Sequence, residues 1–453
     1  MLRSARSFIS AIGFAVVAVP LVCGFSGAAH GQGKRIGSYI WSTNQSFDPP
    51  SDLRLQVQTA LTTDSDGRVW LAYLDAEYRR APATSFGSIT MPEQWHAWPR
   101  RVILRSSEDQ GRTFGPPRVL SKTGSDQALA ADTKGNLYGA WAQTDPPPSL
   151  PIGRPRAILG ERRIVLQQLR VGNDVAPAFQ PISWNEQRDL AEAHISLDQA
   201  GDIHVVGIDT GFASDQPRPP RKIKLLYARA TTGGETIFEH ELESLDHFPQ
   251  VAVSGNLVIV VGPNGFVRSL DGGKTFSKPT PREFGQRLAR IALSPDGKSI
   301  YVVGDIPVGL ASYAPKRGLK LHRSRDAGES WETFRIDDAD RATAWRFPAI
   351  HVEKSGRAHI IWMDDRAGSG AVHHAYSDDD GRTFSPNEVI SDQSFVFPGD
   401  ASYVHVALNK GTWIGAYMSI TSVSGTLIAA WSDQRAGLRK SVVYYATAAQ
   451  SAR

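Results

Sequence analysis

The sequence predicts an all-β fold: a β-propeller of four-stranded antiparallel blades, seven in number, with six as the alternative. Three observations predict it. An eight-residue pattern, Ser-x-Asp-x-Gly-x-(Thr/Ser)-(Phe/Trp), recurs four times, at Ser107–Phe114, Ser269–Phe276, Ser324–Trp331 and Ser377–Phe384. Apolar residues alternate with a period of two between polar turns, and no long amphipathic helix interrupts them. Spacing of this kind belongs to a repeated supersecondary unit, hence to a solenoid or a propeller.

Each pattern has a physical reason. The Asp accepts hydrogen bonds across a tight turn, the Gly supplies positive φ, and the aromatic tucks under the hairpin. These Asp residues are therefore turn staples. Around them lie seven paired strands: Val57–Asp75, Ala128–Asp145, His194–Asp209, Val251–Val261, Ile291–Asp305, Ile350–Asp364 and Ile414–Asp433. Third strands follow, four of them leading directly into a pattern, and Ala230–Ile237 reads as a decayed fifth copy with Thr232 at the Asp position. The segment Arg35–Trp41 has no module of its own, so it supplies the outer strand of the last blade.

The four copies resemble the Asp box, or BNR repeat, of the sialidase superfamily. Members of that superfamily are β-propellers with the box between the third and fourth strands of a blade. The resemblance implies a cleft on the face opposite the boxes and a glycan as ligand.

Residues 1–31 read as a secretory signal: Arg3 and Arg6 precede an apolar run from Phe8 to Phe25, and Ala29-His30-Gly31 offers a small-residue cleavage site. The expected location is secreted or periplasmic, with a single propeller domain over 32–453. The only cysteine, Cys23, falls inside that segment, so the propeller uses no disulfide. Loss of Arg3 and Arg6 lowers the net charge of +4 by two, a balance that argues against nucleic acid or a membrane surface as partner. A monomer without stable membrane insertion, cofactor or metal is expected.

Ends of second strands and starts of first strands share the face opposite the boxes. Asp75, Asp365, Glu192 and His247 are the catalytic candidates there, because carboxylates and imidazole transfer protons. Arg346, Arg366 and Arg435 are the candidates for gripping a sugar acid, since a guanidinium pairs bidentately with carboxylate. Arg346-Phe-Pro348 with Arg366 further on is similar to the Arg-Ile-Pro strand of sialidases, although here it falls in the sixth module, and no Asp follows between Ala367 and Val372. Trp98 and Trp95, in the long insertion Ala76–Arg100, are candidate sugar-stacking residues. Asp364 with Arg366 and Asp433 with Arg435 share one local pattern, which also fits a blade-to-blade structural pair. The functional expectation is an enzyme acting on an acidic or complex glycan by hydrolysis or elimination. The alternative is a non-enzymatic carbohydrate- or protein-binding scaffold.

Overall fold

The computed structural model describes residues 34–450, apart from 37–38, 48–53, 82–83, 87–88, 92–93, 98–99, 145–161, 171–188, 211–222, 286–287, 305–317, 340–345, 397–413, 416 and 438–439. The expected signal segment 1–31 and Trp98 lie outside these. Seven antiparallel sheets form seven blades, which excludes the six-bladed alternative. Their innermost strands are Arg54–Thr63, Gly124–Ala131, Leu190–Leu197, Gln250–Ser254, Ala289–Leu293, Arg346–Val352 and Ser419–Val423. Each touches the next in this order, and Ser419–Val423 touches Arg54–Thr63, so the ring is closed. Among the described residues no helix is long and apolar enough to cross a membrane.

Closure joins distant parts of the chain. Tyr39–Trp41 pairs antiparallel with Ala448–Gln450, and Gln45–Ser46 pairs with Tyr444–Tyr445. The last blade thus takes its outer edge from the N-terminal segment.

Packing between blades is apolar and comes from strands buried on both faces, such as Leu225–Ala228 and Val258–Val261. The eight-residue repeats add to it. In all four, the Ser hydroxyl donates to the Asp carboxylate and accepts from the Gly amide, as at Ser269, whose Oγ lies 2.7 Å from Asp271 Oδ1 and 2.8 Å from Gly273 N. The residue four beyond Ser-x-Asp's carboxylate donates both its amide and its hydroxyl back to it, as Thr275 does to Asp271. These bonds hold Asp271 below the ordinary carboxylate range and Asp326 at about 2. Gly273 has φ +90°, and a Cβ there would sit 1.9 Å from Tyr227 Oη of the preceding blade, so both backbone and neighbour require glycine. The aromatic does more than tuck under its own hairpin. Phe276 packs on Tyr227 and Trp331 on Phe266, each across a blade junction. At the decayed copy, Thr231 and Glu235 still close a turn.

A second repeated device joins blades on the other face. In the sixth blade Trp362 Nε1 donates to Asp364 (2.9 Å), and Arg366 forks onto the same carboxylate while its other nitrogens reach Asp338 and Asn387. The seventh blade repeats it with Trp431, Asp433, Arg435, Asp392 and Asn44. Asp338 and Asp392 come from the segment leaving the preceding blade, so each arginine ties two blades together.

Candidate functional site

The repeats occupy one end of the ring, and the entries to the inner strands occupy the other. At those entries stand five non-glycine residues in the left-handed region: Gln58 (φ 60°), Asp126 (53°), Glu192 (60°), Phe248 (56°) and Phe347 (54°). In four of the five blades the ladder slips there, between Val57 and Ala60, Ser125 and Ala128, Ala191 and His194, and Arg346 and Ala349. A left-handed L-residue costs about 1–2 kcal/mol, so a level of the ring that carries five of them is held there by its surroundings.

Those surroundings are polar and mutually bonded. Gln58 Nε2 donates to Asp126 Oδ1 (2.9 Å), and Gln127 Nε2 donates to the Gln58 carbonyl. Asp126 lies within electrostatic reach of Glu192 and helps to raise it. Phe248 meets Tyr417 edge-on at 5.6 Å, joining the fourth blade to the seventh, which are not ring neighbours. Contact between such blades spans the axis. The Arg290 guanidinium sits 4.6 Å over the Tyr417 ring, and the Thr59 amide donates to the Tyr417 carbonyl.

His247 is the most exposed polar group of this constellation. Its neighbours Asp246 (φ 75°) and Phe248 are both left-handed, so the turn presents the ring in one orientation. Its Nδ1 lies 3.0 Å from Glu192 Oε1, and the Phe248 amide donates to the other Glu192 oxygen. Glu192 is 10 % exposed and His247 46 %. Burial pushes the Glu192 carboxyl up against the bonds from His247 and Phe248, while the bond to Glu192 holds the His247 imidazolium above its ordinary value. The second nitrogen, Nε2, lies 3.9 Å from Asp246 Oδ1, and a half-exposed imidazole oriented by a buried carboxylate is an arrangement for moving protons.

Among the residues expected from sequence, Glu192 and His247 are brought together. Asp75 stands in the first blade, 1 % exposed, paired with Arg101 and near Gln56 Nε2 (3.5 Å). Asp365 opens the turn closed by Gly368 in the sixth blade. Arg346, 8 % exposed, immediately precedes the left-handed Phe347. Arg366 and Arg435 form the blade clasps described above. Trp95 lies in Gln94–Ala97, which pairs with the extended second strand of the first blade, Trp95 opposite Arg80. Sequence reasoning missed Asp126, Gln58 and Arg290. Aligning the seven modules on their inner strands would have put Gln58, Asp126, Glu192 and Phe347 in one column. No group of three or more His, Cys, Asp or Glu among the described residues is placed to hold a metal ion.

Fold and site together define a seven-bladed β-propeller with a polar constellation at its axial mouth. No family model and no curated protein matches the sequence. Among solved structures, a protein of unknown function from Dyadobacter fermentans superimposes with a TM-score of 0.51 at 12 % identity, covering 92 % of this chain and 100 % of that one. The NanB sialidase of Streptococcus pneumoniae gives 0.44 at 12 % identity over 89 % and 70 % of the two chains. An α-L-arabinanase from Penicillium chrysogenum gives 0.46 at 11 % identity over 90 % and 98 %. Identities this low concern the ring alone, so the chemistry rests on this chain's own residues.

Proposed function

We propose that this is an exported propeller of the Asp-box, sialidase-like kind that cleaves an acidic glycan at the axial mouth, with His247 as the proton-transferring group. The observation that carries the reading is the His247–Glu192 pair, with His247 held between two left-handed residues just before the inner strand of the fourth blade. Both Glu192 oxygens are engaged, by the His247 ring and the Phe248 amide, which suits Glu192 to orienting the imidazole rather than to protonating a leaving group.

Arg346 and Arg290 supply positive charge at the same level, and a guanidinium facing a sugar carboxylate favours chemistry beside that carboxylate. Elimination fits this best. Neutral His247 removes the proton on the carbon bearing the carboxylate, the bond from the neighbouring carbon to the glycosidic oxygen breaks, a carbon–carbon double bond forms, and the leaving oxygen takes up a proton. Charge on the carboxylate grows as the proton leaves, and cationic neighbours stabilise it.

The test is a panel of acidic and neutral polysaccharides, read for new reducing ends and for the ultraviolet absorbance of an unsaturated sugar acid. New ends with the chromophore support elimination, whereas new ends without it indicate hydrolysis. Binding without any product would favour a scaffold. Arg346→Lys keeps the charge but loses the bidentate fork, and it should weaken binding of acidic oligosaccharides by about 1.5–3 kcal/mol, leaving neutral ones nearly unchanged. Calorimetric titration of matched ligands decides it, and equal losses for both would remove Arg346 from the site.

A further inference from the structure

The core of the sixth blade contains a polar chain that the axial site does not use. His359 and His374, both fully buried, stack at 5.3 Å between ring centres with planes 13° apart. Their facing nitrogens, His359 Nδ1 and His374 Nε2, lie 3.1 Å apart. The outer nitrogens face carboxylates, His359 Nε2 at 3.4 Å from Glu353 and His374 Nδ1 at 3.5 Å from Glu388. Over this pair lies the closing segment of the ring. Tyr39 meets His359 edge-on at 5.4 Å and His374 at 5.7 Å, and Trp41 meets His374 at 5.3 Å.

We propose that the buried His359–His374 pair is an acid-sensitive latch, and that protonation of both rings releases the closing segment Tyr39–Ser46 from the sixth and seventh blades.

A hydrogen bond between two imidazole nitrogens requires one proton in the gap, donated by one ring and accepted by the lone pair of the other. When both rings are cationic, two N–H groups face each other at the same gap. The bond is lost and two positive charges are left in contact. The groups around the pair pull in opposite directions. Glu353 and Glu388 favour the cations, and Arg357 disfavours the His374 cation; Arg357 is itself bonded to Tyr39 Oη (2.8 Å) and Asp378. Tyr376 stands beside both rings. His351, from the innermost strand, bonds Ser422 of the seventh blade (2.8 Å) and is half-buried. His373 turns to the other side of the sheet, towards Asp364 (3.0 Å).

Burial outweighs the carboxylates, so that His359 is held down to about 4, His374 is pushed below its ordinary value, and His351 lies at about 4. Lifting Tyr39 and Trp41 exposes the rings to water and returns them towards about 6.5. The released form therefore binds more protons between roughly pH 6.5 and 4, and the closed form loses stability as the pH falls through that window.

Hydrogen exchange of the full chain at about pH 7.5 and about pH 4.5, corrected for intrinsic rates, tests the latch. Peptides covering Tyr39–Ser46 and Tyr444–Gln450 should lose protection at least tenfold or so in acid, while Thr236–Glu243, the outer strand of the third blade, should not. In His359→Gln and in His374→Gln, where one ring can no longer charge, the closing segment should stay protected. Equal wild-type protection at both pH values would overturn the proposal, as would simultaneous loss around the whole ring. An undiminished acid loss in either folded variant would do the same.

Discussion

The two ends of this ring are built on opposite rules. At the repeat-bearing end, four blades make the same bonds with the same residues: Ser to Asp, Gly to Ser, and Thr or Ser back to Asp. At the axial mouth, equivalent backbone positions share one strained conformation but carry Gln58, Asp126, Glu192, Phe248 and Phe347: an amide, two carboxylates and two aromatic rings. Where the blades agree, the residues serve folding, which every blade needs alike. Where the backbone agrees but side chains diverge, the strain supports a surface that is not symmetrical, as a ligand is not.

The sharpest way to break that contrast is at the mouth. Glu192→Gln should lower turnover by about 100-fold or more with little change in melting temperature. It should also move the pH profile. If neutral His247 is the base, activity rises as pH passes the His247 pKa, which Glu192 holds above the ordinary value; removing Glu192 shifts that limb to lower pH. The pair's contribution to stability has the opposite sign, being present below about 6.5 and lost as pH rises through the folded value. A pH–kcat/KM profile with an unmoved limb would exclude the dyad.

A smaller effect, on stability, is expected at the blade clasps. Arg435→Ala leaves Asp433 fully buried without its forked partner and cuts the seventh blade's link to Asn44 and Asp392, which keep their bonds to each other. The expected loss is about 3 kcal/mol, read as a lower denaturation midpoint, with activity per folded molecule retained. Specific loss of acidic-glycan binding at unchanged stability would instead place Arg435 at the ligand. Least affected should be Asp271→Asn, which keeps one acceptor of an exposed staple. Its melting temperature should fall by about 2 °C, and abolished turnover with normal melting would overturn the contrast between the two ends.

The fold was legible because its signals are local. A turn such as Ser269–Phe276 closes within eight residues, and the inner strands read as alternation. Glu192 and His247 could be nominated from their place at the start of inner strands. Their pairing could not, since it depends on two successive blades meeting at the axis. Arg366 and Arg435 show the limit most clearly. Sequence places each at a strand end on the cleft side, but Asp338 and Asp392, which engage them, come from the preceding blade. Asp126 stayed hidden because a left-handed bulge at a non-glycine residue leaves no compositional mark.

The closing strand carries a consequence for biogenesis. Ser42 and Thr447, hydrogen-bonded in the finished ring, are 405 positions apart in the chain. During synthesis Tyr39 and Trp41 emerge from the ribosome first among the described core residues, yet the strand they pair with emerges last. Until then six blades can form with one edge open and those two aromatic rings uncovered. Closure of the ring therefore waits on its least local contact, and a holdase that shields residues 39–46 would have something to do until the strand Val442–Gln450 has been made.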